Sequence, residues 1–133
     1  MKADELMLGD HVQVNGEVCK VISISYFDIG ISDSKEDFYH EHIDNVKPVP
    51  LTAEILEKNF TAIPNTFWSS IDYFYHNSSH TVKICRDIID GTWKITYGEN
   101  TIGGKSEWRM YATYVHELQH AIRLCGIEKE IKV

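Results

Sequence analysis

The chain is short of the residues that staple, kink or loosen a fold. Its 133 residues include three cysteines, three prolines and eight glycines. Cys19, Cys85 and Cys125 are odd in number and widely spaced, so reduced, partly buried thiols are expected rather than a disulfide framework. Such usage fits a cytoplasmic protein. No apolar run approaches the ~20 residues of a membrane-spanning helix. Met1-Lys2-Ala3-Asp4-Glu5 lacks the apolar stretch of a secretory signal. Gly103-Gly104 has neither the lysine nor the spacing of a phosphate-binding loop. Lysine and arginine are missing from residues 60–80, where Phe60, Phe67, Trp68, Tyr73, Phe74 and Tyr75 gather. A base-stacking platform wants interleaved cations, so these aromatics are expected in a core and at an interface.

Positive charge is scarce in the first part of the chain. The net charge is −7; residues 1–50 hold 4 lysines against 10 acids, and residues 51–133 are close to balance with 9 basic and 10 acidic residues. An acidic half argues against nucleic-acid binding, which relies on neutralising phosphates. It is compatible with solubility and with a cationic partner.

Two modules are expected. In residues 1–49, His11-Val12-Gln13-Val14 and Glu17 to Ile24 flank Asn15-Gly16, a strong hairpin signal. Phe27–Ile31, Phe38–His40 and Ile43–Val49 suggest three more strands. Five short strands in about fifty residues predict a small SH3-like β-barrel. Pro48 and Pro50 stiffen an extended connection. In residues 50–133, Thr52 caps a short helix at 53–59. A three-stranded antiparallel meander is predicted over about 70–97, with Trp93, Ile95 and Tyr97 on one face. Gly103-Gly104 breaks the chain, and a C-terminal helix over about 107–125 then covers the meander, ending at Gly126. The fold class is α+β.

His116-Glu117-Leu118-Gln119-His120 fits the His-Glu-x-x-His pattern, in which two histidines one helical turn apart hold zinc and the glutamate acts as general base. With 7 His and 11 Glu in the chain, chance alone gives roughly 0.03 such matches. On a helical wheel from Ser106 to Cys125, the residues Trp108, Tyr111, Tyr114, Val115, Leu118, Ala121, Ile122 and Cys125 form one apolar stripe. The wheel puts His116 and His120 opposite that stripe, beside Arg109, Thr113 and Arg123. Two fixed cations raise the cost of holding a dication. A catalytic zinc takes three protein ligands, yet after His120 only Glu128 and Glu130 are oxygen donors of the right type, and nothing selects His76 or His80 upstream. The His76/His80 pair is expected on a solvated loop, and His40-x-His42 on a strand is a weak metal signal. The expected reading is a solvated helix face, with no catalytic residue, no metal ligand and no cofactor. The alternative is a minimal zinc hydrolase using His116, His120 and Glu117.

Pro48-Val49-Pro50-Leu51-Thr52-Ala53-Glu54-Ile55-Leu56 through Asn59-Phe60 resembles the segment Pro-Ile-Pro-Leu-Thr-x-Glu-x-Leu-x-x-x-Gly-Phe of small uncharacterised proteins from phages and mobile elements of gut anaerobes. Tyr114 to His120 resembles their ending, Tyr-Val-His-x-Leu-Gln-His/Asn, and Leu6-x-x-Gly9-Asp10-x-Val12 fits their opening. In that group glutamine often stands at the position of Glu117 and asparagine at that of His120. The resemblance therefore implies packing by Leu118, Gln119 and the helix rather than hydrolysis, and it carries over no functional residue. With no complete catalytic constellation in the chain, the expected function is that of a non-enzymatic phage or mobile-element accessory protein, cytoplasmic, acting through contacts with an unknown protein partner.

Overall fold

Alternating valines from His11 onward build a hairpin. β1 (His11–Val14) returns as β2 (Glu17–Ile24) through Asn15 and Gly16, which both take positive φ (52° and 81°). Two left-handed residues in succession give the turn whose twist matches a paired hairpin. β3 (Asp28–Ser32), β4 (Phe38–His42) and β5 (Lys47–Pro48) complete an antiparallel sheet in the order β4-β3-β2-β1-β5. A one-turn 3-10 helix at Ile43–Asn45 leads into β5. A register shift between Val21 and Ser23 bulges β2. The bulge lays Ser23 over Gly30, where an added Cβ would come within 2.1 Å of the Ser23 hydroxyl and 3.2 Å of its Cβ, so a larger residue fits only if Ser23 moves. Val12, Val14, Cys19, Val21, Ile29 and Ile31 bury on one face. The computed structural model describes residues 1–87, 89–101 and 104–133, and the side chains of these except 99–101 and 104–107. Among the described residues no ladder joins β4 to β5, so the first sheet is not a closed barrel. β5 is two residues long and ends on Pro48, which has no N–H for a further ladder.

The second sheet corrects the expected three-stranded meander. It has five antiparallel strands in the order β10-β9-β8-β7-β6. They are β6 (Thr61–Asn65), β7 (Ser70–His76), β8 (His80–Arg86), β9 (Trp93–Thr101) and β10 (Gly104–Ala112). α1 (Ala53–Asn59) precedes them, with the Thr52 hydroxyl accepting from the Ile55 N–H at 3.4 Å. α2 (Val115–Leu124) follows them. The helix expected over about 107–125 is thus ten residues long, and its first part is strand. β10 pairs with β9 in unbroken register from Gly104↔Thr101 to Ala112↔Trp93. Trp108, Met110 and Ala112 recur with a period of two while Trp108 and Tyr111 fit a helical wheel, and the open edge of β9 offers this segment the better partner. Of the expected Gly103-Gly104 break, Gly103 lies outside the described residues and Gly104 opens β10.

Trp93, Ile95 and Tyr97 face the core as predicted, together with Tyr73, Val82 and Ile84; Ile55 and Leu56 of α1 and Val115, Leu118, Ala121 and Ile122 of α2 pack onto them. The Trp93 indole N–H donates to the Leu51 carbonyl at 3.0 Å, which anchors the connection between the sheets. Among the described residues no helix is long and apolar enough to cross a membrane.

α2 ends in a Schellman turn. Gly126 takes φ 75°, its N–H reaches the Arg123 carbonyl, and the Ile127 N–H reaches back to the Ile122 carbonyl. The tail then runs extended with Ile127 and Ile131 buried in the second core. Two buried carboxamides hold its main chain. Gln119 donates to the Lys129 carbonyl and accepts from the Ile131 N–H, both at 2.8 Å. Asn59 donates to the Lys132 carbonyl at 2.8 Å and accepts from the Lys132 N–H at 2.7 Å. Replacing Gln119 by Leu strands the buried Ile131 N–H, which costs about 1–3 kcal/mol. The expected outcome is a lower urea midpoint with an unchanged slope, and faster hydrogen exchange at Ile131; an unaltered midpoint would refute the clamp.

Candidate functional site

The start of α2 is set by the connection between the sheets. Leu51 N–H donates to the Thr113 carbonyl at 3.0 Å and Val115 N–H to the Val49 carbonyl at 2.9 Å, with Pro50 bridged to Tyr114. The first turn of α2 therefore lies beside the first sheet. Glu117 stands at the third helical position, and one carboxylate oxygen accepts from the Thr113 N–H at 3.1 Å and the Tyr114 N–H at 3.0 Å. It closes the helix start, the role a glutamate plays in a capping box.

The two histidines do not face open solvent, which corrects the wheel. His116 is 5% exposed. Its ring stacks on Tyr114 (centroids 5.9 Å, planes 9° apart) and meets the His120 ring edge-on (5.6 Å, 72°). Its Nδ1 is buried with no hydrogen-bond partner. His120 Nε2 lies 2.8 and 3.0 Å from the two oxygens of Asp10, an N–H donating to a carboxylate. The Asp10 carboxylate has no exposed surface, accepts from the Met7 N–H at 2.7 Å, and has Arg123 Nη1 at 3.8 Å. The wheel misled because α2 is covered on two sides. Its apolar stripe meets the second sheet, and its imidazole side meets the loop before β1. Arg109 belongs to β10 rather than to this helix face.

An open cleft of about 870 Å³ runs past these groups, lined by Lys2, Glu5, Met7, Tyr114, His116 and His120 among others. Burial pushes the His116 imidazole below its ordinary range, opposed mainly by the Asp10 carboxylate. An aspartate that orients an imidazole is one part of an acyl-transfer site. Among the described residues no hydroxyl or thiol is hydrogen-bonded to either ring. Nor do three His, Cys, Asp or Glu side chains form a group able to hold a metal ion among the described residues. The other candidate donors lie elsewhere. His76 ends β7 and bonds the Thr81 hydroxyl, His80 opens β8 and stacks on Tyr97. Glu130 pairs with Lys20, Glu128 is exposed on the tail, and His40 and His42 sit on β4.

Asp10 is the residue that sequence reasoning missed. Its one signal is an acid directly after Gly9, whose φ of 88° turns the chain inward just before β1. No protein family, no curated protein and no solved structure matches the chain. The chemistry of the site therefore rests on its geometry.

Two outcomes follow from that geometry. Glu117→Ala removes the acceptor for two helix-start N–H groups and should lower stability by about 1 kcal/mol, whereas Glu117→Gln keeps an acceptor and should cost less. Equal losses in the two variants, read by urea unfolding, would sink the capping role. The second outcome concerns pH. The folded chain takes up the His116 proton later than the unfolded chain as pH falls. The stability held by the neutral ring is thus full above about pH 6.5 and is lost as pH drops from there towards the folded value. Melting temperature should fall more steeply between about pH 7 and pH 5 for the native chain than for His116→Asn. His11, also lowered mainly by burial, is common to both proteins and cancels in the difference. Parallel curves would disprove it.

Proposed function

We propose that the chain is a non-enzymatic accessory protein, cytoplasmic and of phage or mobile-element origin, that works by contacting another protein. Its first module is read as SH3-like on the strand order β4-β3-β2-β1-β5 and the 3-10 turn before β5. No cofactor enters this reading, because Glu117 is taken up by the helix start and His120 by Asp10. Nucleic acid is a poor partner for a half that carries 4 lysines against 10 acids. The observation that carries the proposal is aromatic surface held in water. Tyr26 and Phe67 are each 82% exposed and Phe38 is 71% exposed, with Phe27 and Trp68 beside them. Water-exposed aromatic patches of this kind mark interaction sites.

The test is a pair of double variants, Phe27→Ala with Phe38→Ala and Phe67→Ala with Trp68→Ala, in quantitative crosslinking from the native host. At least one pair should lose a specific partner without a change in melting temperature. Full retention of every partner by both would defeat the proposal. A second reading, a zinc hydrolase on His116, His120 and Glu117, draws on the 5.6 Å approach of the two rings. Metal analysis of protein purified without a histidine tag separates the two. About one zinc ion per chain, lost in His116→Ala, would favour the hydrolase; the accessory reading expects far less.

A further inference from the structure

Among the described residues β4 is hydrogen-bonded on one side only, to β3. The phase of that ladder is fixed at both ends. Ile43 N–H donates to the Phe27 carbonyl at 2.8 Å and Asp33 N–H to the Asp37 carbonyl at 3.1 Å. Antiparallel pairing alternates, so Tyr39 and Glu41 turn their main-chain groups toward β3. Phe38, His40 and His42 turn theirs outward, along a free edge.

Folds normally guard such edges with proline, lysine or extreme shortness. The other edges here are guarded. β5 is two residues long, β6 contains Pro64, and β10 carries Lys105 and Arg109 in its sequence. β4 has none of these devices. It presents Phe-Tyr-His-Glu-His with four of its five residues exposed. Phe27 extends the aromatic surface, stacked on His42 at 6.5 Å and meeting Tyr26 edge-on at 4.6 Å.

Charge selects what would cover this edge. Residues 25–45 contain Asp28, Asp33, Glu36, Asp37, Glu41 and Asp44 against the single cation Lys35. Asp33 is occupied in its own turn, accepting from the N–H groups of Lys35 and Asp37, and Glu41 accepts from the Asn45 amide. Asp28, Glu36, Asp37 and Asp44 remain exposed. Two copies meeting here would bring like charges together, whereas a cationic strand is attracted.

We propose that the β4 edge docks an extended lysine- or arginine-rich segment of a partner protein, which joins the first sheet as an added strand. This rests on the protein-contact reading above and names its partner class. Main-chain hydrogen bonds to Phe38, His40 and His42 supply affinity, the aromatics receive alternate side chains, and the carboxylates select for basic sequence.

The probe is a short peptide of alternating lysine and valine, titrated into the full-length isotope-labelled chain, with an alternating glutamate and valine peptide as its counterpart. The basic peptide should bind and the acidic one should not. The amide signals of Phe38, His40 and His42 should move most, and added salt should weaken the complex. His40→Pro removes one outward N–H and leaves the β3 ladder intact, and should weaken binding about tenfold. Glu36→Lys with Asp37→Lys should weaken it comparably with the edge untouched, which keeps the test sound if the proline variant misfolds. Equal binding of the two peptides, or shifts centred elsewhere, overturns the proposal. So does concentration-dependent dimerisation that His40→Pro abolishes, since the occupant would then be a second copy. If the peptide fails while the Phe67 and Trp68 double variant still loses a partner, the edge assignment falls and the contact reading stands.

Discussion

A carboxylate stripped of water must be paired, because an unpaired buried charge costs several kcal/mol. Asp10 is such a group, and its partners come from the far end of the chain. His120 meets both of its oxygens and Arg123 stands behind, while Met7 supplies the one local N–H. The first sheet therefore keeps its loop before β1 in place only while α2 lies against it. α2 in turn is fixed by the second core through Val115, Leu118, Ala121 and Ile122. The Asp10–His120 contact joins the Lys20–Glu130 pair and the backbone bonds at Val49 and Leu51 in tying two separate hydrophobic clusters together. A polar tie suits the purpose, since its geometry admits one relative placement where apolar contact alone admits several.

Once α2 is covered on two sides, each residue of the His-Glu-x-x-His stretch has a structural task. Glu117 satisfies N–H groups at the helix start, His116 fills the seam against Tyr114, Leu118 packs into the core, Gln119 grips the tail, and His120 holds Asp10. The spacing of four that a zinc site needs is also the spacing by which a helix repeats a face. Both histidines turn to the same neighbour for that reason. The pattern alone does not separate two ligands from two packing groups, and the glutamate bears only on whether a general base is free. Here it sits in the first turn with its carboxylate directed back at the backbone.

Local signals in the chain were legible. Asn15-Gly16 marked its hairpin, Thr52 marked the cap of α1, and the strict alternation at Trp93, Ile95 and Tyr97 marked a buried strand face. Signals that depend on a distant partner were not. Between Trp108 and Ala112 the residues suit a strand and a helix alike, and the edge of β9 decides between them. The polar side of α2 reads as solvated until the loop at Gly9 and Asp10 is seen to arrive there. The capping role of Glu117 was hidden because the residue three before it is Tyr114, not the serine or threonine that makes a capping box readable. Asn59 ends α1 while binding Lys132, a partner 73 residues away that no local signal reveals.

The same accounting locates the surface left over for function. α2 has spent its polar groups inward, and its free side shows little beyond Arg123 and Leu124. Main-chain groups, by contrast, are spent only where a ladder exists, and the first sheet stops at β4 without a guard. A row of outward N–H and C=O groups is hydrated at some cost in order, and it is relieved by any strand whose charge suits the surroundings. The acidic bias of residues 1–50, compatible with solubility and with a cationic partner, gives that edge a preference, because it repels a copy of itself and attracts a basic strand. Architecture and charge thus converge on the β4 edge of the first sheet.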